Sequence, residues 1–598
     1  MKPKNDSGTP NLANQLQDHL AFLYGPDAAN RLWPQLKTRL AEFRNLNPHL
    51  SENVRPPAER LTERDAILIT YGDQISEPGQ APLQTLAGFL EAHLVESIST
   101  VHLLPFYPYS SDDGFSVIDY RRVDPNLGTW DDVDRLGRHF RLMFDAVINH
   151  ISRQSAWFQA FVRDEAPYND FFITVDPATD LSAVVRPRAL PLLTRVETAR
   201  GARHVWTTFS DDQIDLNYAN PQTLFDVIDV LLFYVERGAE IIRLDAIAYL
   251  WKEVGTPSIH LPQTHRVIKL FRSILDAVAP GVLLITETNV PHRDNISYFG
   301  DGSDEAQLVY QFSLAPLVLN AIHTGSTRHL QKWAAGLTTP SPQTTFFNFL
   351  ASHDGIGLMP ARDILSEAEI QALVDTTQRH GGYVSSKTNP DGSQSPYELN
   401  INYFDALSNP SHLGAKETMD LQVRRFMAAQ AMMLALKGVP GIYMHSLLGS
   451  RSDQAGVKKT GRYRSINRQK FERDELEREL SDPTSLRYRV FQAFRELLEH
   501  RRAHPAFHPN GGQQILEGNE AVFGLLRTSP DGVEKIACLH NVSNAAQSIQ
   551  LDLAAFSLPA SPTNRDLVGG VRYRADETGA LSIRLEPYQV LWLHLGDE

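Results

Sequence analysis

The sequence predicts a (β/α)₈ barrel, an α/β fold, with two inserted subdomains and a small all-β C-terminal domain. Short apolar runs of strand length alternate with amphipathic helical segments between residues 61 and 504. This alternation implies parallel strands joined by helical crossovers. Several of the apolar runs end on Asp, His, Arg or Glu. Ionisable residues at the ends of several separate strands are typical of an active site at one face of such a barrel.

The eight strands are predicted in order along the chain. Each is a run of Ile, Leu, Val, Ala or Phe with no alternation of polar residues, which indicates a strand that is buried on both faces. Amphipathic segments such as LQTLAGFLEAHL and PQTLFDVIDVLLFYVERG lie between them and predict helices. The segments that contain the strands are AILITYGDQI, SISTVHLLPFYPY, RLMFDAVINH, AEIIRLDA, GVLLITETN, VYQFSLAPLVLNAI, TTFFNFLASHD and LKGVPGIYMHSLLGS.

Four further regions surround or interrupt the barrel. Residues 1–60 predict a helical extension, because LANQLQDHLAFLYG and AANRLWPQLKTRLAEF carry apolar residues at three- and four-residue steps. Residues 151–215 lack regular periodicity and predict an inserted subdomain after the third strand. Residues 355–415 are rich in Gly, Ser, Asn and Pro and predict an inserted loop subdomain after the seventh strand, of a length that is normally functional. Residues 505–598 contain short β-like segments and predict the C-terminal domain.

The composition excludes several classes of protein. Hydrophobic residues make up 42% and charged residues 21%, as in ordinary globular proteins. Acidic residues outnumber basic ones by 71 to 57, so the formal charge of −14 disfavours nucleic acid and anionic membranes as partners. The single cysteine, Cys538, cannot form an internal disulfide. The N-terminal segment MKPKNDSGTPNLANQLQ lacks the apolar region of a secretory signal, and no apolar segment reaches the length of a bilayer span. We therefore expect a cytoplasmic protein, a monomer or a homodimer.

Two carboxylates at predicted strand ends suggest the chemistry. Asp245 and Glu287 in one pocket, with different pKa values, can serve as nucleophile and general acid/base in glycosyl transfer. Arg243 lies two residues before Asp245, so both side chains leave the strand on one face, and the cation would keep Asp245 ionised. The alternative is a strand-end ion pair without chemistry. That alternative loses weight when Glu287 and Asp354 are added to the set.

Two histidines flank this predicted pocket. His150 and His353 can hydrogen-bond the vicinal hydroxyls of a sugar, although a lone histidine is more often a core or surface residue. Asn149 beside His150 has no ligand spacing around it, so we predict no metal site. The chain also has no glycine-rich phosphate loop of either common type, which disfavours a nucleotide cofactor. We therefore expect an enzyme without a cofactor.

The motifs at the predicted strand ends resemble those of a known enzyme family. DAVINH, RLDA, the Glu of ITETN and the HD of ASHD resemble the four signature regions of the α-amylase superfamily of glycoside hydrolases, in order and with fitting spacing. Over most of residues 65–595 the chain is similar to the sucrose-phosphorylase-like subfamily, on stretches such as RLDAIAYLWKEVGT, YELNINYFDAL and TGRYRSINR. The resemblance implies that Asp245 is the nucleophile, Glu287 the general acid/base and Asp354 the stabiliser of the transition state.

The same resemblance implies the reaction and further binding residues. The subfamily transfers glucose from an α-glucoside to inorganic phosphate with retention, through a β-glucosyl ester of the nucleophile. Asp112 would hold glucose hydroxyls, and the ring of Phe115 would stack on the sugar. Phosphate needs hydrogen-bond donors at the mouth of the pocket, and the candidates are Arg186 or Arg188 in the first insertion and Tyr397 in the second.

The acceptor is less well defined by the sequence. Sucrose phosphorylases carry Tyr-Gln where this chain has Tyr397 and Glu398, and the N-terminal extension is absent from the short sucrose enzymes. Both features resemble the branch acting on glucosylglycerol, glucosylglycerate and sucrose 6′-phosphate. Glu398 would accept hydrogen bonds from a small polyol and repel a carboxylate. We also expect Asn400, on the same loop, to bind the substrate. Glucosylglycerol is thus the expected substrate, with glucosylglycerate next and sucrose or its phosphate after it.

Two other classes of function stay open at this stage. A hydrolase or a transglucosidase would use the same three carboxylates. A non-catalytic transporter partner of the superfamily would lack those carboxylates and carry a membrane segment, and neither condition fits this sequence.

Overall fold

The computed structural model describes residues 12–52, 54–188, 190–389, 392–556 and 564–596. Eight parallel strands in these residues close a barrel in which every strand pairs with the next one along the chain, and the last strand pairs with the first. The predicted (β/α)₈ barrel is confirmed. Its strands are β1 (Ile67–Thr70), β2 (Thr100–Leu103), β3 (Arg141–Ala146), β4 (Ala239–Leu244), β5 (Leu283–Thr286), β6 (Leu308–Tyr310), β7 (Thr345–Phe349) and β8 (Val439–Tyr443).

The inside of the barrel is a packed core. Ile67 of β1 lies opposite Thr100 of β2 on one side and Gly441 of β8 on the other, so this register closes the sheet. Gly441 leaves room for the ring of Phe347 on β7, because a Cβ there would lie 2.2 Å from the Cζ of that ring. Side chains therefore fill the barrel, and a site for a ligand lies at its rim.

Helices cover the outside of the barrel. One predicted strand is shorter than expected, since in VYQFSLAPLVLNAI only Leu308–Tyr310 is a strand and Leu314–Thr324 is helical. The apolar residues of this segment fit a buried strand and a buried helix equally well, and periodicity alone does not distinguish the two structures. The main covering helices are Pro82–His93, Trp130–Gly137, Pro221–Glu236, Pro262–Val278, Leu314–Thr324, Arg328–Ala335, Met419–Ala435 and Leu486–Ala503.

Two helices precede the barrel, at Leu12–Tyr24 and Pro26–Leu46. They pack against the barrel helices that follow β3 and β4, where His19 Nε2 lies 3.2 Å from Ser273 Oγ and Tyr24 donates a hydrogen bond to the carbonyl of Tyr218. Residues 1–11 of the predicted extension lie outside the described part of the chain.

The insertion after β3 is held together by short antiparallel pairs. His150–Ser152 pairs with Gln213–Asp215, which joins the two ends of the insertion, and Leu193–Thr198 forms a hairpin with Gly201–Trp206. A helix at Ala156–Val162 completes it. The predicted insertion is therefore present, with regular elements that the sequence pattern did not indicate.

The insertion after β7 differs from the irregular loop that the composition predicted. It contains a helix at Glu367–Arg379 and a three-stranded antiparallel sheet of Ile356–Gly357, Tyr383–Thr388 and Gln394–Asn400. Asn389, Gly392 and Ser393 lie in the turn between the two longer strands, so residues rich in Gly, Ser and Asn mark a hairpin here. Tyr397 and Glu398 are thus carried on a strand rather than on a flexible loop.

The C-terminal domain is all β, as predicted. A six-stranded sheet contains Gly512–Leu516, Val522–Thr528, Lys535–Asn541, Val590–Leu595, Asn564–Asp566 and Arg572–Tyr573, and Gln547–Asp552 pairs with Ala580–Leu585. At its junction with the barrel, His504 Nδ1 lies 2.6 Å from Glu534 Oε1, and His594 Nε2 lies 3.6 Å from the same oxygen. Among the described residues, no helix is both long and apolar enough to cross a bilayer.

Candidate active site

One cavity lies at the carboxyl ends of the barrel strands and collects most of the predicted site residues. It is lined by Asp112, Phe115, His150, Arg188, Asp245, Glu287, His353, Asp354, Tyr397 and Glu398, all of which the sequence predicted. The side chains meet because parallel strands end at the same rim. Asp245 directly follows β4 and Glu287 directly follows β5, while the loop after β7 supplies Asp354.

Asp245 belongs to a buried chain of charges. Arg243 Nη1 donates to Asp245 Oδ1 at 2.7 Å and also to Asp145, which in turn lies 2.6 Å from His102 Nε2. Burial raises the pKa of Asp245, while Arg243 and His150 lower it, and the net direction is upward. The predicted Arg243 contact is present, and it offsets only part of the burial.

Glu287 has the environment of a general acid. Its Oε2 accepts a hydrogen bond of 2.9 Å from the backbone N–H of Ala246, whose left-handed conformation (φ 48°) turns the chain just after Asp245. Burial raises the pKa of Glu287 to about 7, and Arg243 opposes this shift from 3.9 Å. A substantial fraction of Glu287 is therefore protonated at neutral pH, as a proton donor requires.

Asp354 is held in the ionised form. Burial alone would raise its pKa, but Arg464, with Nη1 2.5 Å from Asp354 Oδ1, and His353 hold the pKa well below its usual range. Arg468 adds a second cation at 3.8 Å. Asp354 and Glu287 are thus two partly buried carboxyls with opposite pKa shifts, which is the arrangement that permits an acid and a permanent anion in one site.

Aromatic and imidazole rings shape another wall of the cavity. Phe115 stacks on His353, with ring centroids 4.6 Å apart and planes within 4°. Burial lowers the pKa of His353 to about 3, so its ring is neutral and able to bond hydroxyls. His150 Nε2 lies 2.9 Å from the carbonyl of Phe115. Asp112 lies at φ 55°, at the rim near Arg468. These side chains have the types that bind a sugar.

Glu398 has close partners within the protein that the sequence did not suggest. Its side chain is 2% exposed, and both carboxylate oxygens accept hydrogen bonds from Arg464, at 2.9 and 2.6 Å. Oε1 also accepts from the N–H of Gly355 at 2.8 Å, a close approach that a Cβ at residue 355 would block. Burial raises its pKa, but Arg464 outweighs burial and the net direction is downward. These contacts disfavour the expected interaction of Glu398 with a polyol, because its charge is already paired with Arg464 inside the protein; that interaction stays a prediction.

Three predicted residues do not line the cavity. One is Arg243, which is 2% exposed and donates to Asp245 as described above. Arg186 turns away and donates a hydrogen bond to the carbonyl of Leu190. Asn400 is fully buried and donates to Ser385 Oγ at 2.9 Å, so it holds together the strands of the insertion after β7. Arg186 and Asn400 were assigned from their nearness in sequence to lining residues.

The structure adds residues that the sequence analysis missed. Arg464 and Arg468 come from the loop after β8, in the stretch TGRYRSINR, and they were not assigned to the site because no apolar run ends on them. The alternation of strand and helix does give a signal for this loop, since it too leaves the carboxyl end of a barrel strand. Phe209, Gln213, Asn289, Phe312 and Arg464 complete the lining, with Ala246 and Gly355.

Comparisons with known proteins agree with this geometry. Residues 96–356 match the model of the α-amylase catalytic domain. A glucosylglycerate phosphorylase from Spirochaeta thermophila is 51% identical over 97% of this chain and 98% of its own length. One from Allomeiothermus silvanus is 51% identical over 98% of this chain and 99% of its own length. A glucosylglycerol phosphorylase from Marinobacter adhaerens is 28% identical over 74% of this chain and 87% of its own length.

A solved structure gives the same result for the fold. The crystal structure of the sucrose 6F-phosphate phosphorylase from Thermoanaerobacter thermosaccharolyticum superposes with a TM-score of 0.69, at 25% identity, over 80% of this chain and 94% of that one. Half of the residues are thus shared with glucosyl phosphorylases over almost the whole chain, and the carboxylates lie together at the barrel rim. This chain is an enzyme that belongs to the sucrose-phosphorylase-like family of the α-amylase superfamily.

Proposed function

We propose that this enzyme is a retaining glucosylglycerate phosphorylase, which converts glucosylglycerate and inorganic phosphate to α-glucose 1-phosphate and glycerate. The observation that supports glucosylglycerate as the substrate is the sequence identity of 51%, over nearly the full chain, to glucosylglycerate phosphorylases. The identity to the glucosylglycerol phosphorylase is 28%. The expectation of glucosylglycerol is therefore replaced by its alternative. The preference for glucosylglycerol rested on the charge of Glu398, which Arg464 neutralises.

Asp245 and Glu287 would perform the two displacements. In the first, an Asp245 oxygen attacks the anomeric carbon, the glycosidic C–O bond breaks, and Glu287 gives its proton to the leaving glycerate oxygen. In the second, a phosphate oxygen attacks the β-glucosyl ester, the bond to Asp245 breaks, and Glu287 takes back a proton from the attacking phosphate. Two inversions at one carbon retain the α configuration.

The electrostatics of the site support these roles. Because its pKa is raised, the Glu287 carboxyl holds the proton that the first step needs. Asp354, ionised beside Arg464, would face the positive charge that develops on the sugar ring in the transition state. Phe115 and His353 would hold the glucose, and Asp112 would bond its hydroxyls.

Hydrolysis and transglucosylation are the competing functions, because they use the same glucosyl-enzyme with water or a sugar as acceptor. We would incubate the enzyme with glucosylglycerate, with and without phosphate, and measure glucose 1-phosphate and free glucose. A phosphorylase yields glucose 1-phosphate in proportion to glycerate, and little glucose. Equal release of glucose under both conditions would identify a hydrolase instead.

The acceptor is tested in the synthetic direction. With glucose 1-phosphate as donor, the rates with glycerate, glycerol, fructose and fructose 6-phosphate are compared at matched concentrations. We expect glycerate to be used with the highest kcat/KM. A preference for glycerol would restore the glucosylglycerol assignment and leave the phosphorylase reaction intact.

A further inference from the structure

Three side chains with metal-binding groups meet at the junction of the barrel and the C-terminal domain. His504 Nδ1 lies 2.6 Å from Glu534 Oε1, and His594 Nε2 lies 3.6 Å from the same oxygen. In the described part of the chain this is the one group of three or more His, Cys, Asp and Glu side chains whose ligand atoms all lie within 4.8 Å of one another. Two imidazoles and a carboxylate are ligands that Zn²⁺ and related transition metals prefer.

Each of the three side chains comes from a different element. His504 is the C-cap of the barrel helix Leu486–Ala503. Glu534 directly precedes one strand of the six-stranded sheet, and His594 lies in the neighbouring strand, opposite Ile536. Because these segments are distant in sequence, no local spacing of histidines and carboxylates marks the cluster. The prediction of no metal site was drawn from the active-site motifs and does not extend to these residues.

The carboxylate is held in a fixed orientation. The N–H of Glu534 donates a hydrogen bond to Ser529 Oγ, and its carbonyl accepts one from the N–H of Ser529, both at 2.9 Å. Glu534 Oε2 accepts a bond of 2.6 Å from the N–H of Ala506. One carboxylate oxygen is therefore engaged with the backbone, and the other faces the two histidines. Such an outer contact orients a carboxylate that binds a metal through one oxygen.

The spacing of the ligand atoms is close to that of a zinc site. Zn²⁺ binds imidazole nitrogen and carboxylate oxygen at about 2.0–2.2 Å in a tetrahedron, so neighbouring ligand atoms lie roughly 3.3 Å apart. The two distances to Glu534 Oε1, 2.6 and 3.6 Å, lie on either side of this value. Small rotations of the side chains would therefore fit the cation. The three side chains are 16 to 20% exposed, so water can reach the remaining coordination position.

The charges of the cluster favour a cation. Burial would raise the pKa of Glu534, but hydrogen bonds from His504, His594 and the N–H of Ala506 lower it to about 2. Glu534 is therefore ionised at neutral pH, as a metal ligand must be. His504 also caps the carboxyl end of an 18-residue helix, where the partial negative charge of the last carbonyls attracts a cation.

The cluster lies towards the face of the barrel opposite the active site. Arg501, three residues before His504, donates hydrogen bonds to the carbonyls of Asp65 and Gly438, at 3.0 and 3.1 Å. Asp65 and Gly438 directly precede the region of β1 and the start of β8, so they mark the amino ends of the strands. Residues at this face of a (β/α)₈ barrel serve stability, whereas catalysis takes place at the other face.

We propose that His504, Glu534 and His594 form a structural site for a divalent cation of the Zn²⁺ type, which joins the last barrel helix to two strands of the C-terminal domain. In the metal-bound form each imidazole presents a lone pair at the nitrogen that faces Glu534 Oε1, and its proton lies on the other ring nitrogen. The alternative is a hydrogen-bonded cluster without a metal. The proposal does not depend on the substrate of the enzyme.

Binding of Zn²⁺ to the full-length protein tests the proposal. The protein is first treated with a chelator, and Zn²⁺ is then titrated calorimetrically into the wild type, His594→Ala and Glu534→Gln. His329→Ala is the matched control, because His329 lies 2.9 Å from Glu369 with a similar exposure but outside the cluster. Thermal melting with and without Zn²⁺, and glucosyl transfer, are measured for each protein.

We expect one Zn²⁺ per chain with a Kd of about 10 µM or tighter in the wild type and in His329→Ala, and binding at least about tenfold weaker in the two cluster variants. Zn²⁺ should raise the Tm of the wild type by about 2 °C or more and that of the cluster variants by less than half as much, because the cation binds only the folded state. Glucosyl transfer well below the Tm should stay within about twofold of the wild type in every variant.

Two results would overturn the proposal. Binding weaker than about 10 µM in the wild type would identify a hydrogen-bonded cluster without a metal. Binding that weakens less than tenfold in His594→Ala would place the cation elsewhere. His594→Ala keeps the contacts of Glu534 with His504 and Ala506, so it decides the question even if Glu534→Gln fails to fold.

Discussion

Replacing Glu398 by Gln separates a structural role of this carboxylate from a role in choosing the acceptor. In the structure Glu398 accepts two hydrogen bonds from Arg464 and one from the N–H of Gly355, and it is 1% exposed. The substitution keeps the shape and one carbonyl acceptor, but it removes the charge and turns an N–H₂ group towards a guanidinium or a backbone N–H.

The size of the effect follows from these contacts. Removing one partner of a buried ion pair costs about 3–5 kcal/mol. Arg464 retains Asp354 as a partner, and the amide oxygen retains one hydrogen bond, so we expect a loss at or just below the lower end of that range, about 2–3 kcal/mol of unfolding free energy. If about 2 kcal/mol of this is also lost from the transition state through the displaced Arg464–Asp354 pair, kcat/KM falls roughly 30-fold.

The assay compares two acceptors and one control. Glucosylation of glycerate and of glycerol from glucose 1-phosphate is measured in wild type and Glu398→Gln, together with chemical denaturation. Because Glu398 acts through Arg464, both acceptors should lose activity by the same factor. Glu367→Gln, which removes an exposed partner of Arg362 in the same insertion, should change stability by less than about 0.5 kcal/mol. A glycerate-to-glycerol ratio that shifts more than tenfold, with stability unchanged, would show that Glu398 contacts the acceptor.

Three further predictions concern the chemistry. Asp245→Asn should reduce glucosyl transfer by several orders of magnitude while the protein melts within a few degrees of the wild type, and residual transfer within tenfold of the wild type would exclude Asp245 as the nucleophile. Since the pKa of Glu287 is raised to about 7, the acid is protonated below that pH and loses its proton above it. The kcat/KM for glucosylglycerate should therefore fall tenfold per pH unit above about 7, on the alkaline side of a maximum whose acid side reflects the ionisation of Asp245. A descending limb that Glu287→Gln retains would assign that ionisation to another group. Proton NMR early in the reaction should show the α anomer of glucose 1-phosphate only, and an initial β product would contradict double displacement.

Much of the catalytic centre follows from the sequence, for a simple physical reason. A strand that is buried on both faces appears as an unbroken apolar run, and the first ionisable residue after it marks the rim of the barrel. Asp245 and Glu287 directly follow β4 and β5, so their convergence needed no knowledge of loops. The C-terminal strands could also be predicted from the sequence, because segments such as KIACLHNV and QVLWLHL are short, rich in β-forming residues and separated by turns.

Periodicity gave no comparable information about the two insertions. Their short hairpins bury little apolar surface of their own, so composition suggested irregular structure where the chain after β7 forms a sheet. The placement of Arg188 inside the cavity and of Arg186 outside it depends on how a loop folds back over the rim. Because Arg186 and Arg188 are only two residues apart, the sequence alone does not show which of them faces the cavity.

The sequence by itself determined the barrel, the order of its strands and the three carboxylates, since each of these is encoded in a local run of residues. Only the tertiary structure decided which charges neutralise one another. Glu398 and Arg464 are 66 residues apart, in the separate segments that follow β7 and β8, and nothing in either segment identifies its partner. The same carboxylate attracts a polyol when it is free and only holds an arginine in place when it is paired. The difference is set by long-range contacts, which have no period along the chain.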